Sequence, residues 1–548
     1  MEKDLNQKPC AAQKVETSQG FSVSYKGQFL YSKYNPSKNI ITAVERLELL
    51  PGTIILGFSP LLGYGLSELA AKLSENCLII LCEAEKSLYD FSKEEGLFNN
   101  ENPKIVSCPP ENLSNLPLKI YDYTKESLYK RVIRFDMSAG VQQNKEYYDN
   151  LYTACTDSVM TFWKNRITLT KFGRRYSKNI FENLKYLGES KPISDYFASV
   201  EKPIIVFGAG ESTQVFLNHG LLHRNDNYFI LCADTALQPL LKNGIQPDGV
   251  FIEEAQAVIT KAFIGIPEDV QIFAGLSSIP NIAHKFGAKQ LSYFFTEYTK
   301  ASFIDDLKSK SFIPPVNLPF GSVGLTAVYY ALKFRKSEAV PVYVAGLDFS
   351  YSIGMTHTKG TLAHILRLLT GNRLNSIANY SAAFGLGTEK ISDKQGKVFI
   401  TTPTLANYAA MFRSFFAGQK NLFDVGESGI ELGLPRVNMD CFVANAPRND
   451  DYSATDDTRH CKSEGRSKPH AKDIEEYLVN ERKSLEYLRD LLTGKTELKG
   501  DKLLEEIKKV AEPREYLYLH FADGYKFTTS QSFLNRIRTE IDFFLKYL

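Results

Sequence analysis

Short apolar runs alternate with amphipathic, helix-length stretches along most of this chain. Five such runs fall in its middle third, at 203–207 (PIIVF), 228–232 (YFILC), 249–252 (GVFI), 271–274 (QIFA) and 342–346 (VYVAG). Wholly apolar strands separated by helices are typical of an open parallel sheet covered on both faces. The pattern therefore predicts a central α/β domain over residues 195–445, with the carboxyl ends of its strands meeting at one edge.

A second α/β pattern lies near the amino terminus. The runs TIILG at 53–57 and LIILCE at 78–83 flank a helical stretch, which predicts a Rossmann-like domain over residues 20–115. In segment 116–194 apolar residues recur every three or four positions, from Tyr148 to Phe162, as in a bracing amphipathic helix.

The last hundred residues divide into two parts. Segment 446–471 lacks periodicity and is rich in polar residues, which predicts a flexible linker. Residues 472–548 contain two apolar helical stripes and form a predicted helical module. The predicted fold class is therefore α/β, with two Rossmann-like open parallel-sheet domains and a helical C-terminal module.

Composition narrows the classes of function. The chain has 548 residues, and its 65 Lys and Arg balance 63 Asp and Glu, too even a charge for a dedicated nucleic-acid binder. The polar first ten residues contain no secretory signal, and proline and glycine interrupt the two long uncharged stretches, so no membrane span is predicted. Eight scattered cysteines without a CxxC pair indicate a reduced, cytoplasmic protein.

Glycines and carboxylates follow three of the central strands. Gly208 and Gly210, with Ser212 beside them, link a strand to a helix, where backbone amides are able to approach a phosphate, although a tight turn is an equally good explanation. Asp234 and Glu253 end the next two strands, where carboxylates bind ribose hydroxyls or a metal. Each taken alone is more often a solvated residue.

Two further motifs complete the candidate edge. Ser322 opens a helix within GSVG and is expected to cap it, a position that also suits an anion. The segment from Gly346 to Gly360 carries Asp348 directly after a strand and His357 in a loop bounded by glycines. This concentration of titratable groups makes the loop the first candidate for mutagenesis.

Taken in order, these motifs resemble a known family. GAGES (208–212), ADTALQPLLKNGIQPDGVF (233–251), GSVGLTA (321–327) and AGLDFSYSIGMTHTKG (345–360) are similar to the central domain of motility accessory factor (Maf) flagellin glycosyltransferases. That domain is in turn similar to MptE, the archaeal 6-hydroxymethylpterin diphosphokinase. The resemblance covers about residues 30–440. The chain departs from the family pattern at Glu211, where the family has proline, and at Glu253, where it has aspartate.

The resemblance implies a cytoplasmic glycosyltransferase. It would move a nonulosonic acid of the pseudaminic or legionaminic type from a CMP-sugar to Ser or Thr hydroxyls of flagellin. His357 and Asp348 are the implied catalytic residues. The implied donor-binding residues are Gly208, Gly210, Ser212, Asp234, Thr235, Glu253, Ser322, Gly346, Tyr351 and Gly360. No cofactor or metal is expected, since no DxD occurs among these motifs.

Three alternatives stay open at this point. The first is an MptE-like diphosphokinase, with ATP and Mg²⁺ held by Asp234, Glu253 and Asp348. The second concerns the N-terminal domain, in which Gly57, Gly63 and Glu83 roughly follow the pattern of an S-adenosylmethionine site. The third is a non-catalytic flagellar adaptor, against which the acid, His and glycine content of residues 346–360 argues.

Overall fold

Two parallel sheets, each with its own helices, organise the chain. The computed structural model describes residues 11–99, 101–218, 227–437 and 469–548. Two units are distinguished, Met1–Lys171 and Phe172–Leu548. The boundary falls inside the segment 116–194 that the sequence assigned to a single bracing element, and most of the predicted linker lies outside the described residues.

The first unit is built on a four-stranded parallel sheet with strand order β6-β5-β4-β7. An antiparallel β1-β2-β3 sheet precedes it. The strands are β1 (Gln13–Thr17), β2 (Gly20–Tyr25), β3 (Gln28–Phe29), β4 (Thr53–Phe58), β5 (Leu78–Cys82), β6 (Ile105–Cys108) and β7 (Arg131–Asp136). The helices are α1 (Lys38–Arg46), α2 (Leu66–Ala71), α3 (Lys86–Glu94), α4 (Leu116–Ser127) and α5 (Lys145–Thr168).

Strand β7 departs from the sequence prediction, which treated residues 116–194 as helical. Its parallel pairing with β4 places Val132 and Phe135 in the core, while the charged ends of RVIRFD stay exposed. So short a run, with arginine at its centre, gives no strand signal by itself, and pairing with the fully buried β4 decides its conformation.

The second unit is built on an eight-stranded parallel sheet with strand order β13-β12-β11-β10-β9-β8-β14-β17, accompanied by a β15-β16 hairpin. The strands are β8 (Ile204–Phe207), β9 (Phe229–Ala233), β10 (Gly249–Ile252), β11 (Gln271–Gly275), β12 (Leu291–Thr296), β13 (Val316–Asn317), β14 (Val342–Ala345), β15 (Glu389–Ser392), β16 (Val398–Thr401) and β17 (Leu422–Asp424).

Helices flank this sheet and form the C-terminal module. They are α6 (Arg174–Leu187), α7 (Glu211–Asn218), α8 (Asp234–Lys242), α9 (Asn281–Phe286), α10 (Ser302–Ser309), α11 (Val323–Phe334), α12 (Leu362–Thr370), α13 (Tyr380–Ala383), α14 (Pro403–Phe416), α15 (Ala471–Leu492), α16 (Gly500–Ala511) and α17 (Gln531–Phe544). The two parallel sheets and the helical end confirm the predicted fold class.

The core of the second unit is formed by its central strands and the helices that cover them. The central strands β8, β9 and β10 are almost entirely buried, as expected for strands covered by helices on both faces. Helix α11 crosses over them and contributes eight buried residues of its twelve. Its apolar side chains pack with those of β10, β11 and α14 in one cluster. Burial on this scale fixes the position of the strand ends, and thus of the loops that follow them.

The C-terminal helices are pinned by a buried polar cluster. Arg514 donates two hydrogen bonds to Glu481, at 2.9 and 2.8 Å, and the Tyr516 hydroxyl donates a third. Glu515 accepts from the first two amides of α10, at 2.8 and 3.2 Å, and so caps that helix.

Nowhere in the described ranges does a helix combine the length and apolarity required to cross a membrane.

Candidate functional site

The motif loops meet at the carboxyl edge of the large sheet. Strands β10, β9, β8 and β14 are consecutive neighbours, so the segments that follow them share one edge. We call this edge the rim and define it as residues 208–212, 234–235, 253–254 and 346–360. The predicted site residues belong to the rim, apart from Ser322.

The rim glycines bring two loops into direct contact. The Gly208 amide donates to Ala345 O and the Gly210 amide to Gly346 O, both at 2.8 Å. A Cβ on Gly208 would collide with Gly346 O, and one on Gly210 would lie 2.6 Å from the Asp348 carboxylate. Gly346 itself has φ +72. These glycines therefore allow close packing between loops, and their amides are already bonded within the protein.

Asp348 is held by Ser212. One carboxylate oxygen accepts from the Ser212 amide at 2.8 Å, and the other accepts from the Ser212 hydroxyl in a short hydrogen bond. The same hydroxyl accepts from the Gly346 amide at 3.0 Å. Burial raises the pKa of Asp348 to about 6, although the Ser212 bonds and the charge of Lys394 act to lower it. Asp348 is thus placed to fasten β14 to α7 rather than to reach a substrate.

A buried ion pair, which sequence reasoning missed, stands next to this network. Lys394 lies in the β15-β16 turn, and its Nζ is 2.5 Å from Asp424 Oδ2, with both side chains almost fully buried. Its amide also donates to Gly429 O at 3.1 Å. A lysine in the polar turn DKQG normally points to solvent, so nothing in the sequence marked it. The pair anchors the hairpin beside Asp348.

Glu253 is also occupied by protein donors. Its two oxygens accept from the hydroxyls of Thr296, at 2.5 Å, and Thr326, at 3.0 Å. Burial raises its pKa, while these hydrogen bonds act in the opposite direction. Thr296 ends β12 and Thr326 lies in the first turn of α11, so Glu253 ties three elements together.

Asp234 differs from both of these acids. Its Oδ1 accepts from the amide and the hydroxyl of Thr235, at 2.6 and 2.9 Å. Its Oδ2 is buried and has no hydrogen-bond partner among the described atoms. Burial raises the pKa of Asp234 to about 7, and nearby Glu254 and Glu253 add to the effect. Of the three predicted rim acids, Asp234 is the one with a carboxylate oxygen that no described protein donor engages.

The His357 loop joins the rim through its backbone. The Thr358 amide donates to Ala209 O at 2.9 Å, next to the β8 glycines. A Cβ on Gly360, which has φ +90, would lie 3.5 Å from Pro239 on α8, the helix that Asp234 begins. The loop therefore bridges the ends of β8 and β9, and brings His357 to the same edge as Ser212 and Asp234.

His357 itself remains exposed to solvent at the residue level. Its Nδ1 lies 3.2 Å from the Thr356 hydroxyl. Desolvation lowers its pKa, so the imidazole is mainly neutral near pH 7. A neutral imidazole is suited to accept a proton.

Three other residues of the sequence analysis have internal roles. Glu211 accepts from the Ser352 amide at 3.3 Å. The Tyr351 hydroxyl donates to Ala382 O at 2.9 Å, within a small apolar cluster. Ser322 occupies the N-cap of α11, but its hydroxyl makes no capping bond, in contrast to the prediction.

The N-terminal glycine pattern is also filled by protein atoms. A Cβ on Gly63 would collide with Leu97, and one on Gly57 would lie 2.9 Å from Met137 Sδ. Glu83 is buried and accepts from the hydroxyls of Ser59 and Tyr148. This arrangement does not favour an S-adenosylmethionine site.

Comparison with known proteins places this geometry in context. Residues 175–354, which include β8 to β14, match the family described as 6-hydroxymethylpterin diphosphokinase MptE-like. The chain is 31% identical over 558 residues, 97% of its own length and 94% of the relative, to an uncharacterized protein of Treponema pallidum (strain Nichols). The chain belongs to that protein's family, and its central domain is MptE-like. The matched range contains every predicted site residue except His357 and Gly360, which follow its last residue.

The fold of the whole chain is similar to that of a Maf glycosyltransferase from Magnetospirillum magneticum AMB-1. The TM-score is 0.53 at 14% identity, over 99% of this chain and 91% of the other. An MptE-like domain inside a Maf fold is what the motifs predicted.

In the described part of the chain, no group of at least three His, Cys, Asp or Glu side chains is arranged to hold a metal ion.

Proposed function

We propose that this protein is a glycosyltransferase that moves a sugar from a nucleotide-activated donor to a hydroxyl of a protein acceptor. In its specific form, the donor is a CMP-activated nonulosonic acid and the acceptor is Ser or Thr of flagellin. The observation that carries the proposal is that His357 and Asp234, whose Oδ2 no described protein donor engages, meet at the carboxyl edge of the large sheet. The likeness of fold to a Maf glycosyltransferase over the whole chain supports it.

The chemistry assigned to the rim is proton transfer at the acceptor hydroxyl. His357 takes that proton as the new bond between the hydroxyl oxygen and the anomeric carbon forms. The bond from that carbon to the donor phosphate oxygen breaks, and the nucleoside monophosphate leaves with the electron pair. Asp234 Oδ2 accepts a hydrogen bond from a donor hydroxyl and so orients the sugar or ribose.

The leaving phosphate needs positive charge. The amides of Gly208, Gly210 and Ser212 are already bonded to neighbouring protein atoms. Lys359 is exposed in the His357 loop, and a Cβ on the neighbouring Gly360 would lie 3.4 Å from Lys242 Cδ of α8, so both lysines belong to the same part of the rim surface. We assign the neutralisation of the phosphate to this pair of lysines.

Replacement of His357 by alanine tests the assignment. Cells that lack this protein receive the wild type, His357→Ala or the control His284→Ala, whose histidine lies on α9, outside the residues of the rim, and packs against Tyr186. The mass of flagellin is then measured. We expect the sugar to be absent with His357→Ala alone, while both variants accumulate as folded protein. Unchanged flagellin glycosylation with His357→Ala would refute the role of this residue.

A diphosphokinase is the second candidate, because the matched family is described by that activity. Its Mg²⁺ would be held by Asp234, Glu253 and Asp348, but the structure engages the last two with threonine and serine hydroxyls. Thermal stabilisation separates the candidates. Stabilisation by CMP without metal supports the transferase, whereas stabilisation by ATP only in the presence of Mg²⁺ supports the kinase.

A further inference from the structure

An uncovered apolar surface projects from the insertion between β14 and β17. Helix α12 has the sequence LAHILRLLT, yet it has no buried residue. The residues that follow it add further exposed apolar side chains. We call this surface the apolar face; its members are Leu366, Leu368, Leu369, Leu374, Ile377, Tyr380, Phe384 and Leu386.

The degree of exposure exceeds that of ordinary surface leucines. Leu369 is 76% exposed, Leu374 is 94% exposed and Phe384 is 71% exposed, and Leu386 is fully open to solvent. Single exposed apolar residues are common, but a concentration of eight within 21 positions is not. Such a face marks a surface that is covered in the working state of the protein.

The apolar face is continuous with the catalytic loop of the proposed transferase. Thr361, next to Gly360, caps α12 through its hydroxyl. Arg367 donates to Asn379 at 2.5 Å, and Asn379 pairs with Gly354 at the start of the His357 loop. A molecule seated on this face is therefore held beside His357.

The exposed charges of the segment that carries the face favour one kind of partner. Residues 354–400 have four exposed cations, Lys359, Arg373, Lys390 and Lys397. Their one exposed acid is Glu389. A second copy of this chain would oppose cations with cations, which disfavours pairing of two such faces. An acidic partner would meet complementary charge.

We propose that the apolar face is the docking surface for the protein acceptor, which it binds through an apolar segment flanked by carboxylates. This inference rests on the proposed function, because it assigns the face to the substrate that must reach His357. The acceptor's apolar side chains cover α12 and the segment after it, and its acids face the lysines and the arginine. Docking then places a Ser or Thr of the acceptor at the rim.

The test removes the face without touching the rim. One variant combines Leu369→Ser, Leu374→Ser and Phe384→Ser. A control variant combines Leu118→Ser and Ile167→Ser, which are 70% and 67% exposed in the first unit. Circular dichroism melts confirm that both variants fold. A third variant, Lys390→Glu with Lys397→Glu, tests the charge argument separately.

Two readouts separate the docking proposal from the proposed function. Binding of purified flagellin is measured by interferometry without donor, and CMP binding is measured by calorimetry. We expect the triple serine variant to bind flagellin at least about tenfold more weakly, as loss of central apolar contacts does in other interfaces. CMP binding is expected to stay unchanged, and the control variant is expected to match the wild type in both assays.

Each other outcome has a stated meaning. Flagellin binding that survives the triple substitution, or a wild type that does not bind flagellin, overturns the docking proposal. A dimer of the wild type that dissociates in the triple variant, or selective binding of the wild type to phosphatidylglycerol vesicles, overturns it in favour of self-association or a membrane. Flagellin binding without sugar transfer leaves docking supported and refutes the transferase.

Discussion

Asp234→Asn is expected to make the second unit more stable, and increasingly so as the pH rises. In the wild type the carboxyl is almost fully buried, and Oδ2 has no hydrogen-bond partner among the described atoms. Ionisation of this group in the folded state is therefore unfavourable. Asparagine keeps the size and the Oδ1 acceptor for Thr235, and it removes the charge.

The magnitude follows from the pKa of Asp234. Burial raises it from 3.8 to about 7, and each unit corresponds to about 1.4 kcal/mol, so the buried carboxylate costs roughly 4 kcal/mol above pH 7. Because the folded-state pKa is raised, the stability contribution is fully present below the unfolded pKa near 4. It is lost as the pH rises through about 7. The advantage of Asp234→Asn should grow by about 2 kcal/mol between pH 5.5 and pH 8.

Hydrogen exchange of peptides from β9 and α8 is the appropriate assay, because a chain with two units does not unfold in one step. The chain's single tryptophan, Trp163, lies in the first unit, so its fluorescence provides an internal reference that should not change. Asp195→Asn replaces an exposed aspartate and controls for the loss of charge alone.

A stability difference that stays flat from pH 5.5 to pH 8 would refute this reasoning. It would show that the Asp234 carboxylate is already compensated, for instance by an ordered water at Oδ2. An asparagine variant less stable than the wild type at pH 8 would lead to the same conclusion. In either case Asp234 would no longer have the free acceptor on which its proposed contact with the donor depends.

The hydrogen bond from Ser212 to Asp348 and the ion pair between Lys394 and Asp424 lead to two further predictions. Ser212→Ala removes the hydroxyl donor of Asp348 and should lower the stability of the second unit by about 1–3 kcal/mol. Urea titrations followed by circular dichroism measure this change. A change near zero would show that the short bond contributes little. Lys394→Met leaves Asp424 buried without its cation and should lower the free energy of unfolding by about 3–5 kcal/mol. Addition of Asp424→Asn should restore much of that stability. Failure to restore it would show that the loss comes from packing.

Five of the eight strands of the central sheet were predicted, because strands that are buried on both faces read as continuous apolar runs. GVFI at 249–252 matches β10, and PIIVF differs from β8 by one residue. Strands β12, β13 and β17 were not predicted. The three residues of β17, LFD, are too short to show a period. Its place is fixed by pairing with β14, which lies 80 residues earlier in the chain.

The site was predictable as a set of loops but not as a set of roles. Position after a strand end correctly brought Asp234, Asp348 and Glu253 to one edge. Sequence gives no sign, however, of which acid is bonded to the protein and which keeps a free oxygen. That distinction depends on Ser212, 136 residues from Asp348, and on Thr296, 43 residues from Glu253.

The bond between Ser212 and Asp348 has a consequence for biosynthesis. During synthesis Ser212 is translated long before Asp348, and Lys394 and Asp424 are translated later still. The contacts of the rim therefore cannot form until the chain has been extended through these positions. Until then β8 lacks its β14 neighbour and presents an open strand edge. Nascent chains stalled between residues 218 and 342 should therefore be the species most dependent on chaperones.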